Sequence, residues 1–366
     1  MSFEEINKFP LQNDEQLILL ESIAIVTIVS IFLKSFPFGV LSCGRNSASI
    51  PIPALALTQS LVISVAEIFI IIRLQSIFEC SETIQNIIVM LGLIVALVGA
   101  LSAVFQQDLK KILVFSSISQ SGLMLLACGF SAYGAALMLY ITHAFSKALL
   151  IFSSGSVIKA LSGECRINRM GGLMETLPKT YVAFIIAIVT TCAVPLLSSY
   201  YSYNTLLNAI IFSELDLYYF TIICVILFSL LTNFYFFRVF YKIFYGHTHI
   251  DEVSLGYANE DDHMISWTLY FSIFFAIFSG VIFYYATYNN NFWKDIFVLI
   301  YRSNTLITVT FFAVNLVGMI GAILICRSLR IPHIEWTARK LLVSILPLKF
   351  LRKVRKQFSE ITNLEK

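Results

Sequence analysis

The chain has 366 residues, 58% of them hydrophobic and only 13% charged, and its mean hydropathy is +0.82. A soluble domain of this length carries about twice that charged fraction, so the composition excludes an ordinary water-soluble enzyme and points to an all-α polytopic membrane protein. The net charge of +3 gives no ground for a nucleic-acid partner, because its distribution over loops matters more than its sum.

Residues 1–16, MSFEEINKFPLQNDEQ, are polar and acidic, unlike a secretory signal or a transit peptide. From residue 17 onward, apolar stretches of about the 20 residues that a membrane helix needs follow one another. About nine transmembrane helices are predicted, near 17–41, 51–74, 84–105, 109–129, 132–158, 180–212, 218–241, 265–287 and 304–326. The sixth is too long for one straight span. It contains Pro195 followed by Ser198, Ser199 and Ser202, and a proline removes a helix hydrogen bond and bends the chain. A broken helix is therefore expected there, of the kind that lines polar cavities in membranes. Residues 17–326 form the predicted membrane domain, with no internal repeat and no second soluble domain.

Loop charge supports this count. One side of the membrane receives Arg45, Lys110, Lys111, Lys159, Arg166, Arg169, Lys179, Arg238 and Lys242 with the basic C-terminus. The other side receives Glu79, Glu82, Glu214 and Asp216, with Arg73, Lys294 and Arg302 as exceptions. Positive loops stay in the compartment from which insertion occurs, so the C-terminus is expected on the matrix or cytoplasmic side. Residues 327–366 alternate apolar and basic residues at helical spacing around Trp336. Two readings stand side by side: an amphipathic segment lying on the bilayer surface, or a plain positive stop signal.

Ionisable groups inside the spans carry the chemistry. Lys147 and His143 lie mid-segment in the apolar run from Ala132 to Ile158. Such groups are expensive in hydrocarbon and normally face a bundle interior or a water-filled path. Four residues apart, they share a helix face, and burial penalises the charged form of an amine. Snorkelling to the interface competes only weakly for Lys147, and strongly for Lys34, which lies beside Pro37 at a helix end. Glu67 sits within a helix and is a further relay candidate, whereas Glu21 reads as interfacial. Lys110 reads as a relay group, Lys111 as an ordinary loop charge, with Asp108 beside them. Ser116, Ser117, Ser119 and Ser121 could hydrate a channel, though small polar residues also let membrane helices pack closely. Arg238 and Lys242 read as membrane-edge anchors. The seven cysteines, at 43, 80, 128, 165, 192, 224 and 326, form no metal or cluster spacing. No bound cofactor, metal or redox centre is therefore expected in this chain. The region 247–263, with His247, His249 and His263, reads as a solvated loop, a metal site being the lesser reading.

The run Leu33–Tyr203 resembles the antiporter-like membrane subunit, chain 5 type, of proton-pumping NADH–quinone oxidoreductase, respiratory complex I. The motifs are QQDLKKILVFSSISQSG (Gln106–Gly122), THAFSKALLIFSSGSVI (Thr142–Ile158) and INRMGGLMETLP (Ile167–Pro178), with weaker matches at Leu33–Gly39, Pro195–Leu207 and Asn233–Gly246. The Gln-x-Asp-x-Lys helix is shared with multisubunit cation/proton antiporters, while the Thr-His-Ala-Phe-x-Lys block is closer to the chain 5 type. The resemblance covers about the C-terminal two thirds of that family's membrane domain. It implies that a partner polypeptide, or further length of a split subunit, supplies the first half-bundle.

By this resemblance, Lys147 matches the lysine at the centre of the second half-channel and His143 its neighbour. Lys34 matches a lysine ahead of a Pro-x-Pro, and Lys110 with Asp108 matches a polar pair opening the serine-rich helix. Departures accompany the matches. Ser202-Tyr203-Asn204 stands where the family has Ser-Lys-Asp or Ser-Lys-Glu, Gln59 stands where a histidine is usual, and Leu139 where a second histidine precedes Thr142. The implied function is proton translocation in the membrane arm of NADH:ubiquinone oxidoreductase. NADH, FMN, iron–sulfur clusters and ubiquinone would be used by other subunits. The implied setting is the mitochondrial inner membrane, or alternatively a bacterial plasma membrane, with the neighbouring antiporter-like subunit and lipids such as cardiolipin as partners. The lost relay groups keep two alternatives open, a mainly structural subunit of the same arm and a component of a cation/proton antiporter.

Overall fold

The computed structural model describes residues 14–35, 54, 63–79, 81–213, 218–246, 263–288 and 305–328. Among these residues the chain is mostly helical, with no strand; one isolated antiparallel bridge pairs Asp108 with Arg166. The helices are α1 (Asp14–Ser35), α2 (Ile63–Arg73), the short α3 (Gln75–Phe78), α4 (Glu82–Phe105), α5 (Leu109–Gly129) and α6 (Tyr133–Ala160). They continue with α7 (Pro178–Thr191), α8 (Ser198–Ile211), α9 (Tyr218–Phe244), α10 (His263–Tyr288) and α11 (Thr305–Ser328). Five are long and apolar enough to cross a membrane: α4, α5, α6, α9 and the Met264–Tyr284 part of α10. The chain is thus a multi-pass membrane protein. The described residues up to Cys326 form one compact unit. The basic segment after Ser328, the 247–262 loop and Gln59 lie outside the described residues, as do the side chains of Lys34 in α1 and Glu67 in α2.

α5 is the most enclosed span, and the small residues of α4 explain how it gets there. A Cβ on Gly92 would stand 2.7 Å from the Leu126 nitrogen and 2.8 Å from the Gly122 oxygen; one on Gly99 would stand 2.8 Å from the Ser119 nitrogen. The two backbones touch, as small residues permit where lipid offers no hydrophobic drive between helices. The start of α4 is fixed by Ser81, extended, whose hydroxyl accepts from the Ile84 N–H at 3.4 Å.

The break expected near Pro195 is present. α7 begins with Pro178 at its first position, where a missing N–H costs little, and ends at Thr191. α8 restarts at Ser198. Between them Ala193 and Leu196 take left-handed backbone angles, φ 54° and 72°, each costing roughly 1–2 kcal/mol for a residue with a side chain. The structure compensates with polar contacts. Asn315 of α11 donates to the Cys192 carbonyl at 3.1 Å and accepts from Asn233 of α9 at 2.8 Å. At the restart, Ser198 donates to the Ala276 carbonyl of α10 at 2.6 Å. An aromatic cluster on α7 and α9, with Tyr181 and Phe184 against Phe240 and Phe244, holds α9 over the core. Phe145 of α6 stacks on Phe275 of α10 with centroids 5.1 Å apart.

Candidate proton-relay site

Lys147 is among the largest fully buried side chains of the described residues. It projects from the middle of α6, and its Nζ donates to the Ser116 hydroxyl of α5. The same nitrogen lies 5.8 Å from the centroid of the Phe236 ring on α9, a cation–π arrangement that favours the charged amine by about 0.5–2 kcal/mol. Among the described residues no carboxylate pairs with it; the ion pairs are Lys111–Asp108 and Arg169–Glu164, both toward solvent. The amine is held by a neutral hydroxyl and a ring face, so its proton can leave without breaking an ion pair.

A band of neutral polar groups continues from this point. His143, one turn before Lys147, is 8% exposed and its Nε2 meets no partner among the described residues. Thr142 Oγ1 lies 3.0 Å from Ser202 Oγ on α8. Gln120, four residues after Ser116 and so on the same face of α5, exchanges hydrogen bonds with the Tyr203 hydroxyl at 3.1 and 3.2 Å. Next in the sequence of α8, buried Asn204 has neither amide atom bonded among the described residues. Unpaired buried polar atoms cost about 1–3 kcal/mol each, and in native proteins they are the atoms that ordered water or function accounts for.

The other end of α5 is built differently. Residues 107–109 and 165–167 run antiparallel, with Leu109 N–H donating to the Cys165 carbonyl at 2.8 Å and Ile167 N–H to the Gln107 carbonyl at 2.9 Å. Lys110 is buried in the first turn, whereas Asp108 is half-exposed and pairs with Lys111 at 2.6 Å. Lys111, in the first turn of α5, is thus the partner of Asp108. Lys110 lies six residues from Ser116, about 9 Å along the axis at 1.5 Å per residue. Glu164 sits in the same connection. The Arg166 backbone N–H, with the Arg169 guanidinium, holds its carboxyl below the ordinary carboxylate value.

Arg238 and Lys242 are tied into the protein as well as ending a helix: Arg238 donates to the Gln106 carbonyl at 2.5 Å, and Lys242 to the Asn168 side-chain oxygen at 2.6 Å. The two connectors leave backbone and amide acceptors facing α9, and long basic side chains reach them more cheaply than they reach water. The α5 serines mostly bond backwards. Ser116 donates to Leu113 at 2.8 Å, Ser119 to Ser116 at 2.9 Å and Ser121 to Ile118 at 2.9 Å, and Ser119 is the residue packed on Gly99. Close packing accounts for Ser119, while Ser116 alone of the four receives the lysine.

The structure thus gathers Lys147, His143, Ser116 and Ser119, and leaves Lys110 and Asp108 at the end of the helix. Sequence reasoning missed Tyr235, the Gln120–Tyr203 pair and the Asn233–Asn315 pair. The asparagines were legible in part, because each is a polar residue in an apolar run. Among the described residues no group of three or more His, Cys, Asp or Glu is placed to hold a metal ion.

Residues 1–232 match the transmembrane family described as NADH:quinone oxidoreductase/Mrp antiporter. NADH-ubiquinone oxidoreductase chain 5 of Chondrus crispus is 32% identical over 267 residues, covering 70% of this chain and 40% of the relative. NADH-quinone oxidoreductase subunit L of Rickettsia typhi is 32% identical over 73% of this chain and 40% of its own length. The chloroplastic NAD(P)H-quinone oxidoreductase subunit 5 of Nasturtium officinale is 34% identical over 67% of this chain and 33% of its own. The chain therefore spans well under half the length of these relatives. Among solved structures, the membrane-bound sulfane sulfur reductase, an archaeal respiratory membrane complex, is similar in fold, with a TM-score of 0.52 at 19% identity over 72% of this chain and 51% of that one. A family match that spans well over half of its residues, together with relatives at about a third identity, makes this chain a member of the NADH:quinone oxidoreductase/Mrp antiporter transmembrane family.

Proposed function

We propose that this chain is a membrane-arm subunit of NADH:ubiquinone oxidoreductase that carries protons across the mitochondrial inner membrane while other subunits oxidise NADH and reduce quinone. The observation that carries this reading is Lys147, fully buried at mid-helix and held, among the described residues, by Ser116 and the Phe236 ring. A mid-membrane amine is costly, and a purely architectural position is filled more cheaply by leucine. In the proposed cycle Lys147 alternates between charged and neutral states and His143 exchanges protons with it. Lys110 and Lys34 feed the path, with Glu67 a candidate for the relay groups that Gln59 and Leu139 do not supply. Residues 17–326 form the membrane domain with nine crossings, preceded by a polar tail at 1–16 and followed by a basic amphipathic stretch at 327–366 on the matrix side. NADH, FMN, iron–sulfur clusters and ubiquinone belong to other subunits, and the neighbouring antiporter-like subunit is the nearest partner.

Replacing Lys147 with alanine is expected to lower the proton-to-electron ratio in sealed vesicles while the complex still assembles and reduces quinone. Unchanged pumping refutes the role. A second reading, a mainly structural subunit, is favoured by the neutral Tyr203 and Leu139 at two relay positions. It predicts the opposite pattern, lost assembly with an unchanged ratio. Co-purification with NADH-oxidising subunits separates both readings from a stand-alone antiporter component.

A further inference from the structure

Tyr235 of α9 is fully buried beside Phe236, whose ring faces Lys147. Its hydroxyl stands beside those of Ser116 and Ser119 and near that of Tyr203, yet it is in hydrogen-bond geometry to no described group. Ser116 is the group that receives Lys147, and Tyr203 is the residue bonded to Gln120. A buried neutral hydroxyl thus stands beside the group that receives the amine and near Tyr203, which occupies the place of the lysine expected from the resemblance. We propose that Tyr235 and Tyr203 are proton-relaying residues that connect Lys147 to the far end of the path through phenol hydroxyls. Gln120 is a positioning residue that aims the Tyr203 hydroxyl. This inference rests on the pumping function proposed above.

The step balances without a charged intermediate on either tyrosine. A phenol oxygen accepts a proton on a lone pair as its own O–H proton passes to the next acceptor. One O–H bond forms, one breaks, and the ring stays neutral once the hydroxyl has turned back. The hydroxyls must face two ways, as the Tyr203 hydroxyl does with the two atoms of the Gln120 amide. Asn204, buried on the same helix with neither amide atom bonded among the described residues, offers polar contacts that would hold a water. Packing alone does not explain Tyr235. A buried hydroxyl without a partner is less stable than the same ring without it, and this chain uses phenylalanine 32 times.

The test is Tyr235→Phe and Tyr203→Phe, each in the assembled complex in sealed vesicles, alongside Lys147→Ala. The readouts are assembly, NADH-driven quinone reduction, thermal stability and the proton-to-electron ratio. Both phenylalanine variants are expected to lower the ratio as far as Lys147→Ala does, with assembly and quinone reduction kept. Tyr235→Phe removes a hydroxyl that makes no hydrogen bond among the described residues, so its stability is expected to be unchanged or higher. Parental ratios in both variants, with a lowered ratio in Lys147→Ala, overturn the hydroxyl relay and leave the lysine pathway standing. A parental ratio in Lys147→Ala as well overturns the pumping reading itself. Should losing the Gln120 bond disturb assembly in Tyr203→Phe, Tyr235→Phe decides alone. A destabilised Tyr235→Phe with a parental ratio assigns the hydroxyl to structure and overturns the proposal.

Discussion

Ser116 and Phe236 hold the Lys147 amine through a hydroxyl and a ring face, and that pairing sets what each substitution should do. Removing the Ser116 hydroxyl takes away a hydrogen bond to an ionisable group, worth about 1.5–3 kcal/mol, while leaving the lysine in place. Ser116→Ala is therefore expected to slow proton translocation at unchanged assembly, by less than Lys147→Ala does. Rates of proton uptake in vesicles carrying the two variants check the order, and a Ser116→Ala effect as large as the loss of the lysine contradicts it. At this scale the sequence was informative where one residue is anomalous by itself. A lysine in a 27-residue apolar run from Ala132 to Ile158 announces itself. Tyr235 does not, because tyrosine is an ordinary membrane residue and only its neighbours, on α5 and α8, make it chemically interesting. For Arg238 the charge is legible, but the Gln106 carbonyl that it reaches is 132 residues away in sequence.

Among the helices, the α7–α8 break is the feature on which the polar band depends, since it is where Ser198, Ser202, Tyr203 and Asn204 enter the core. Pro195 foretold it, because a missing N–H and a rigid ring cannot be hidden inside a membrane helix. What the sequence could not foretell was the repair. Asn315, on α11, satisfies the Cys192 carbonyl and receives the Asn233 amide, contacts that span 123 and 82 residues. Asn315→Ala leaves both groups unpaired in a buried setting, at a cost of about 1–3 kcal/mol. The expected result is a lower thermal unfolding temperature for the purified protein in detergent, and an unchanged temperature contradicts the stapling role. The close approach of α4 and α5 was half-legible too. Glycines at 92, 99 and 122 are visible in the sequence, but not that all three serve one interface.

The whole molecule is a multi-pass helical membrane protein, and its class was legible from composition because few soluble chains have so little charge. Helix boundaries emerged within a few residues for most spans, since apolar runs end where Gln106, Asp108 and the basic connectors begin. The order in which helices meet was not legible, as apolar faces in lipid carry little directional information. The account's central claim is that a buried amine trades its proton through wetted neighbours. A map of the assembled membrane complex fine enough to resolve water tests it most directly. Ordered water is expected within hydrogen-bond reach of His143 Nε2, the Asn204 amide and the Tyr235 hydroxyl, in a line that reaches Lys147. Lys147 sealed among side chains, with those polar atoms dry, would contradict proton transport and leave an architectural subunit.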